Sequence, residues 1–212
     1  MPPSSLPSAL TLVALVATLG CAASHRGAPS RLPSDDVTTY ARLLQMADAR
    51  RLDSALVRQA LRSGSSAVRS EAALAVGQVH GTTLAGELRA LLTERDTAVA
   101  ANAAYALGLL RDSASIAALA SALAAPVSVA VEAAWALGQI GEPARPHVER
   151  ALSARAQPSA VTGALLVAAG KLRPVPVAVV ALHVSDSSEV VRWSAAYAIA
   201  RPYVAGYGAD LG

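Results

Sequence analysis

The main feature of this chain is an apolar pattern of helical spacing that recurs about every 31 residues. Aligned on a glycine, its copies place Gly77, Gly108, Gly138, Gly170 and finally Ala200 in one column, with spacings of 31, 30, 32 and 30 residues. A second column, nine residues earlier, holds valine in every copy: Val68, Val99, Val129, Val161 and Val191. Within a copy, apolar residues follow at i, i+4, i+8 and i+11, as in Val68, Ala72, Val76 and Val79. This spacing predicts one buried face of an α-helix.

A second and less regular apolar stretch follows each glycine, so each copy is predicted to be two short helices joined by a turn. The prolines agree with this division: Pro146 and Pro176 fall near the start of second helices, and Pro126 and Pro158 separate copies. So short a pair cannot bury its own apolar face, but stacked pairs can. We therefore expect an all-α solenoid of stacked helix pairs with a period of about 31 residues. Its units are residues 65–95, 96–125, 126–157, 158–187 and a partial unit, 188–203.

The segments that flank the repeats differ in character. Residues 37–64 carry more charge and are predicted to form an N-terminal pair of capping helices, since a cap faces water on one side. Residues 204–212 are predicted to be a C-terminal tail. No second helix is predicted after Ile199, so the last copy is open at this end. Either the tail folds back over it, a partner covers it, or the natural chain continues past Gly212.

The N-terminus has the pattern of an export signal. Residues 9–20 form an apolar run of twelve, too short for an ordinary membrane-spanning helix but the right length for the core of a signal peptide. The run ends at Gly20-Cys21, and this arrangement resembles a bacterial lipoprotein signal, in which lipid is attached to the cysteine. The resemblance implies a signal peptide over residues 1–20, lipidation of Cys21, and a tether over residues 21–36.

Some positions depart from the lipoprotein pattern and leave alternatives open. Thr18 and Leu19 stand where that pattern usually has leucine and a small residue, and the leader has no Lys or Arg. The alternatives are a plain secretory signal with an incidental cysteine, or a misassigned start codon. Either export route places the mature chain outside the cytoplasm. Because Ala22 rather than Asp follows the cysteine, the resemblance implies the periplasmic face of the outer membrane, with the N-terminal lipid as the membrane anchor.

The repeated line itself resembles a known family. The segments VRSEAALAVG, VAANAAYALG, VAVEAAWALG and VRWSAAYAIA are similar to bacterial HEAT repeats of the phycobilisome-lyase type, whose pattern is roughly Val-Arg-x-x-Ala-Ala-x-Ala-Leu-Gly. Arg69 and Arg192 match the arginine of that pattern, whereas the other copies have Ala100, Ala130 and Thr162 there. The resemblance covers residues 65–203 and implies a right-handed α-solenoid. It implies no single function, because the family includes scaffolds, lyase subunits and enzymes.

Composition narrows the classes of function. Hydrophobic residues make up 53% of the chain and aromatic residues 3%, which favours close packing of Ala-rich helices over a bulky core. The net charge is +3, but no run of five like charges occurs, so no concentrated basic face for nucleic acid is predicted. Cys21 is the only cysteine, which excludes an intramolecular disulfide and a cysteine-based metal site.

Residue types that often carry chemistry are scattered in this chain. The four histidines, His25, His80, His147 and His183, lie in different parts of the chain with no metal-binding motif, although Glu149 is near His147, and are interpreted as surface residues. HEAT-repeat hydroxylases hold a di-iron centre with His-Glu dipeptides, and this chain contains none. Glu71 and Glu132 share a column, which is interpreted as a solvated helix face rather than a catalytic pair. We expect no catalytic, cofactor-binding or metal-binding residues, no cofactor and no small-molecule substrate, and therefore no enzyme in this chain by itself.

Two sets of side chains are candidates for binding a protein. The column three residues before the glycine forms an aromatic strip, which either packs against the next repeat or contacts a partner: Leu74, Tyr105, Trp135, Val167 and Tyr197. The resemblance to HEAT solenoids implies a ligand-facing groove on the second helices, with Glu87, Arg89, His147, Glu149, Arg150 and His183. A mixed, weakly charged groove suits a protein segment better than nucleic acid or an anionic membrane. With Trp193 near the open end, the candidate partner-binding residues are Tyr105, Trp135, Tyr197, Trp193, Arg89, His147 and Arg150.

Together these patterns predict an exported, lipid-anchored scaffold that mediates protein–protein interaction in the bacterial cell envelope. One alternative is the N-terminal interaction module of a longer envelope enzyme, for example a peptidyl-prolyl isomerase, because HEAT repeats precede such domains in some bacterial proteins. A second alternative is a chromophore-lyase-like subunit. Export and the lack of a distinctive ligand pocket in the sequence argue against this second alternative.

Overall fold

The structure is a computed structural model that describes the backbone of residues 33–204 and the side chains of residues 33–201. The predicted signal peptide over residues 1–20, Cys21, His25, the predicted tether as far as Leu32, and the tail from Ala205 onward lie outside the described residues.

Every regular element among the described residues is helical. The α-helices are α1 Ser34–Asp48, α2 Ser54–Ala60, α3 Ser66–Gln78, α4 Ala85–Leu91, α5 Thr97–Leu110, α6 Ile116–Ala122, α7 Val127–Ile140, α8 Arg145–Ala154, α9 Ser159–Ala169, α10 Val177–Ala181 and α11 Glu189–Val204. Short 3-10 turns at Thr82–Leu84, Ser113–Ser115 and Glu142–Ala144 lead into α4, α6 and α8. From α3 onward, odd-numbered helices are the first helices of the repeats and even-numbered helices are the second. The predicted all-α stack of helix pairs is confirmed.

Helix α1 begins three residues earlier than the predicted capping pair. It starts at Ser34, with Pro33 at the N-cap position and two acidic residues, Asp35 and Asp36, in its first turn. Carboxylates in the first turn interact favourably with the positive end of the helix dipole, which explains the early start. Residues 34–36, predicted to belong to the tether, are therefore helical. No helix within residues 33–204 is both long enough and apolar enough to cross a membrane.

The first helices bury the face that their periodicity predicts. The five valines of the repeated column are all at most 1% exposed. The following positions, such as Ala103 and Leu107 in α5, are also fully buried. Leu110 and Ile140, which end α5 and α7, are only partly buried because they lie where the chain leaves the helix.

Successive first helices approach so closely that the glycine column has no room for a side chain. A Cβ atom placed on Gly138 would lie 2.8 Å from Cα and 2.7 Å from Cβ of Ala168. Gly77 and Gly170 meet Ala106 and Ala198 in the same way, with Cα atoms at 2.8 and 2.9 Å. Real carbon contacts are longer, so the glycine and alanine columns set the spacing of this layer. The first helices consequently form the most closely packed layer of the stack.

The arginine of the repeat pattern ties a first helix to the loop before it. Arg69 Nη1 donates to the carbonyl oxygens of Ser63 at 2.8 Å and Gly64 at 3.2 Å. Arg192 Nη1 makes the same pair of bonds, to the carbonyl oxygens of Asp186 and Ser187, both at 2.8 Å. In both repeats the acceptors lie five and six residues before the arginine. The arginine thus satisfies carbonyls that a tight inter-repeat loop leaves without helical partners.

The interpretation of Glu71 as part of a solvated face is wrong. Glu71 is only 8% exposed, because its column faces the preceding first helix rather than water. Its carboxylate accepts a hydrogen bond from Tyr40 of α1, an interaction that raises the pKa of that tyrosine. In the next repeat the same column holds Asn102, whose Nδ2 donates to Ser70 Oγ at 2.8 Å. Glu132 is partly buried, and burial raises the pKa of its carboxyl group.

The interpretation of His183 as a surface residue is also wrong. Its side chain is 1% exposed, and its Nε2 lies 3.2 Å from the carbonyl oxygen of Leu152. Helix α10 has only five residues, and His183 follows it in a turn that packs the ring beneath the end of α8. His183 therefore belongs to the core and not to a ligand-facing groove. His80 is exposed in a turn, as predicted, and His147 is half-buried on α8.

Candidate functional site

The predicted aromatic strip lies on the outward-facing side of the first-helix layer. Tyr105 of α5 and Trp135 of α7 stack on each other with ring centroids 4.5 Å apart and an interplanar angle of 24°. Both side chains are half-buried. A Cβ on Gly108 would lie 2.6 Å from Cζ3 of Trp135, so the indole also covers the seam between α5 and α7. These two rings therefore pack between repeats and still present one edge to solvent.

The aromatic residues of α11 are different, because they are largely exposed. Trp193 and Tyr197 lie one helical turn apart and stack with ring centroids 5.4 Å apart and an interplanar angle of 7°. Their side chains are 65% and 39% exposed. Val190, one turn before them, is 57% exposed. We call Trp193, Tyr197 and Val190 the α11 patch.

Next to the strip, the side-chain amide of Gln139 connects Trp135 to Lys171. The amide oxygen of Gln139 accepts hydrogen bonds from Trp135 Nε1 at 3.1 Å and from Lys171 Nζ at 2.9 Å. The ammonium group of Lys171 also lies 5.3 Å from the centre of the Trp135 ring, in a cation–π arrangement. Lys171 is the only lysine in the 212 residues. The amide and the indole together hold its ammonium group in one place.

Lys171 shares a cleft with three arginines, of which Arg111 and Arg201 come from other repeats. The cleft has a volume of about 720 Å³ and is lined by Arg111, Lys171 and Arg201, together with Gln139, Arg173 and the turn at Gly141. Burial lowers the pKa of Lys171, and the positive charges of Arg201 and Arg111 lower it further. No carboxylate lines this cleft among the side chains that the structure describes. We call Arg111, Lys171 and Arg201 the basic cleft.

The candidates on the second helices are arranged differently. Arg89 Nη1 donates to a carboxylate oxygen of Asp112 at 2.7 Å, and Asp112 also accepts a hydrogen bond from Ser115. The neighbouring acidic residues are paired as well: Glu87 with Arg58 at 2.9 Å, and Glu149 with Arg145 at 3.1 Å. Arg150 is exposed on α8. These carboxylates are thus paired within the protein, and the pairs Arg58–Glu87 and Arg89–Asp112 join successive repeats.

The structure brings together Tyr105 and Trp135 across a repeat boundary, and Trp193 and Tyr197 within α11. It places Arg89, His147 and Arg150 on the other layer, away from the aromatic strip. The sequence interpretation missed the basic cleft. The sequence does contain a signal for the cleft. The residue after the glycine lies one helical turn from the aromatic column, and two of the cleft's cations occupy this position. Its residues in the five copies are Gln78, Leu109, Gln139, Lys171 and Arg201. Within residues 33–201, no group of three or more His, Cys, Asp or Glu side chains is arranged to hold a metal ion.

Comparison with known proteins identifies the repeats. Residues 54–132 match the family model described as HEAT repeats, and residues 129–154 match the model described as PBS lyase HEAT-like repeat. No curated protein is significantly similar to the chain. Among solved structures, that of human deoxyhypusine hydroxylase in complex with glycerol is similar at 15% identity, over 78% of this chain and 97% of that chain, with a TM-score of 0.36. A likeness this distant carries no argument about activity or substrate.

Proposed function

We propose that this HEAT-repeat protein is a scaffold whose first-helix face binds a protein partner, and that it is exported and held at a membrane by lipid on Cys21. The observation that carries the binding proposal is the α11 patch. Exposed tryptophan and tyrosine side chains are uncommon on surfaces that face only water and are enriched where proteins meet. Here two of them are pre-stacked, so little side-chain entropy is lost when a partner covers them.

The first-helix face suits a partner better than the second-helix layer does. The second helices carry charges that are already paired, such as Arg89 with Asp112. A partner that bound these charges would first have to break the existing ion pairs. The first helices present aromatic edges and the basic cleft, whose described lining residues include no carboxylate. A surface of this mixed kind is typical of protein interfaces, in which aromatic anchors are surrounded by polar groups.

The export proposal is supported by the sequence alone. The apolar run over residues 9–20 and the glycine before Cys21 fit a lipoprotein signal. A scaffold tethered by lipid on Cys21 keeps its repeats close to the membrane, which raises the effective concentration of partners located there.

The binding proposal is tested by cross-linking the tagged full chain in membrane extracts of its host. The partner should be captured by the wild type and by Arg150→Gln, which changes an exposed charge on the second-helix layer. The double variant Trp193→Ser with Tyr197→Ser should lose the partner at an unchanged thermal midpoint, because both side chains are exposed. Capture that survives the double variant and is lost in Arg150→Gln would place the binding surface on the second helices and contradict the proposal.

The export proposal is tested by the intact mass of the native protein, extracted with detergent from the host membrane. A diacylated or triacylated chain beginning at Cys21 is the expected result. An unmodified chain cleaved elsewhere would refute lipidation. A mass well above that of this sequence would support the alternative that the repeats are a module of a longer envelope protein.

A further inference from the structure

We propose that the basic cleft binds carboxylate side chains of an acidic segment of the partner protein, with an apolar residue of that segment lying against Trp135. This inference rests on the proposed function, since it takes the partner to be a protein, and it adds the chemistry by which the partner is recognised. Nothing in the family matches assigns a ligand to Arg111, Lys171 or Arg201.

The cleft carries an excess of positive charge. Four cationic side chains line the cleft, since Arg173 lies there beside Arg111, Lys171 and Arg201, and the nearby acidic residues are engaged elsewhere: Asp112 with Arg89, and Glu142 with Arg145. Burial is the main cause of the lowered pKa of Lys171, and the positive charges of Arg201 and Arg111 lower that pKa further. An entering carboxylate would offset this repulsion and form charge-assisted hydrogen bonds.

The side chains of the cleft are held in place by the fold. Lys171, the only lysine of the chain, is held by the Gln139 amide and the Trp135 ring. Arg111 ends α5 in the left-handed region, at φ 51°, where glycine would be unstrained. The residue in the same place after α7 is a glycine, Gly141, at φ 82°. An arginine is therefore present at a position where glycine would be the less strained residue.

The surroundings of the cleft favour a peptide over other anionic ligands. The cleft borders the Tyr105–Trp135 stack, which offers an apolar surface beside the cations. Acidic residues next to an apolar residue in an extended segment match this pairing. A nucleic acid needs a row of cations that contact successive phosphates. Among the described residues, Arg145, four residues after Gly141, is bound to Glu142 and Glu149 and so does not extend the cations of the cleft into such a row.

The single lysine gives a direct test on the full chain. The probe is a fluorescein-labelled peptide of alternating Glu and Leu, with its Gln-for-Glu counterpart as the control. Binding is measured by fluorescence polarisation at physiological salt. In parallel, acetylation of Lys171 by an N-hydroxysuccinimide ester is followed by mass spectrometry. The Glu peptide should bind at least tenfold more tightly than the Gln peptide and should slow acetylation of Lys171, because a bound carboxylate both covers the amine and favours its protonated form.

Two matched variants separate the cleft from general charge. Arg111→Gly and Arg155→Gly each remove one exposed arginine from a left-handed position, φ 51° and 49°, but Arg155 ends α8 on the second-helix layer. Arg111→Gly should weaken binding of the Glu peptide about tenfold and leave the thermal midpoint unchanged or higher, because glycine relieves the backbone. Arg155→Gly should have the same effect on stability and leave binding unchanged.

Several results would overturn the inference. Equal binding of the Glu and Gln peptides, no binding of either, or equal loss in the two variants would each show that the cleft does not recognise carboxylates. Protection of Lys171 by inorganic phosphate without any binding of the Glu peptide would show that the site takes a phosphate instead. If partner capture depends on Trp193 and Tyr197 but not on Arg111, the scaffold proposal stands and only this inference fails.

Discussion

The close contact between successive first helices predicts that a side chain at the glycine column lowers the free energy of unfolding. Replacing Gly138 by alanine would place a Cβ atom 2.8 Å from Cα of Ala168. That neighbour is backbone, so no change of rotamer can relieve the contact. To restore an ordinary separation of about 3.4 Å, helices α7 and α9 would have to move apart by roughly 0.6 Å. The same first helices pack against their other neighbours, so this displacement cannot stay local.

The magnitude follows from two opposing effects. Overpacking of a close interface costs about 1–3 kcal/mol. Alanine in a helix is more favourable than glycine by about 0.5–1 kcal/mol, which offsets part of that cost. Because the contact is with backbone, we expect a value in the upper part of the range and a net loss of about 1–2 kcal/mol for Gly138→Ala.

A second glycine supplies the control. Gly86 lies on the exposed side of α4, and a Cβ there would have only Arg89 Nη2 nearby, at 3.7 Å. Gly86→Ala should therefore gain about 0.5 kcal/mol from helix propensity alone. Both variants are compared with the wild type by urea unfolding, followed by circular dichroism. If Gly138→Ala has a midpoint equal to or above that of Gly86→Ala at the same slope, the first helices are not spaced by the glycine column and the reasoning is refuted.

Burial raises the pKa of Glu132 above its ordinary value of 4.5, so the folded state binds the proton more tightly and loses stability as pH rises through that pKa. Glu132→Gln should therefore raise the free energy of unfolding in urea at pH 7, by at most about 1 kcal/mol, and leave it unchanged well below pH 4.5. Arg69→Ala removes two hydrogen bonds to loop carbonyls and should cost about 1–2 kcal/mol in urea unfolding, whereas alanine at the exposed Arg95 should cost almost nothing. Lys171 has a lowered pKa in the folded state, so the unfolded state binds more protons between that pKa and 10.5, and stability should rise with pH there. Lys171→Met should abolish this rise, and a retained slope would assign it to another group.

The repeat architecture was predictable because its pattern is redundant. The valine and glycine columns recur with the same spacing in every copy, and helical periodicity then defines the buried face. The environment of Glu71 and His183 was not predictable in this way. Polar residues in helical proteins usually face water, and the periodicity of one helix does not show that its polar column meets another helix. The burial of Glu71 depends on the distance between neighbouring first helices, which the alanine and glycine columns make unusually short. The burial of His183 depends on the shortness of α10, which ends after five residues and leaves the ring against the end of α8.

The basic cleft was missed for a related reason. Its members do not form a column of one residue type: the position after the glycine holds Gln139, Lys171 and Arg201 in three successive copies. Arg111 comes from a different position in an earlier copy and reaches the cleft through the left-handed end of α5. A search for repeated residues cannot find a cluster whose members come from different columns. The ion pairs of the second helices escape such a search for the same reason, since Arg89 pairs with Asp112 from the turn of the next copy.

The close packing of the first helices also restricts where specificity can be encoded. The positions at the glycine and two residues before it are buried against the neighbouring helix in every interior repeat, so they can hold only glycine and alanine. The positions three residues before the glycine and one residue after it lie on the same side of the helix and face outward. Tyr105, Trp135 and Tyr197 occupy the first of these positions, and Gln139, Lys171 and Arg201 occupy the second. A partner segment laid across the layer would meet one pair from each repeat. Substitutions at these two positions can therefore change what is bound without disturbing the seam that holds the repeats together.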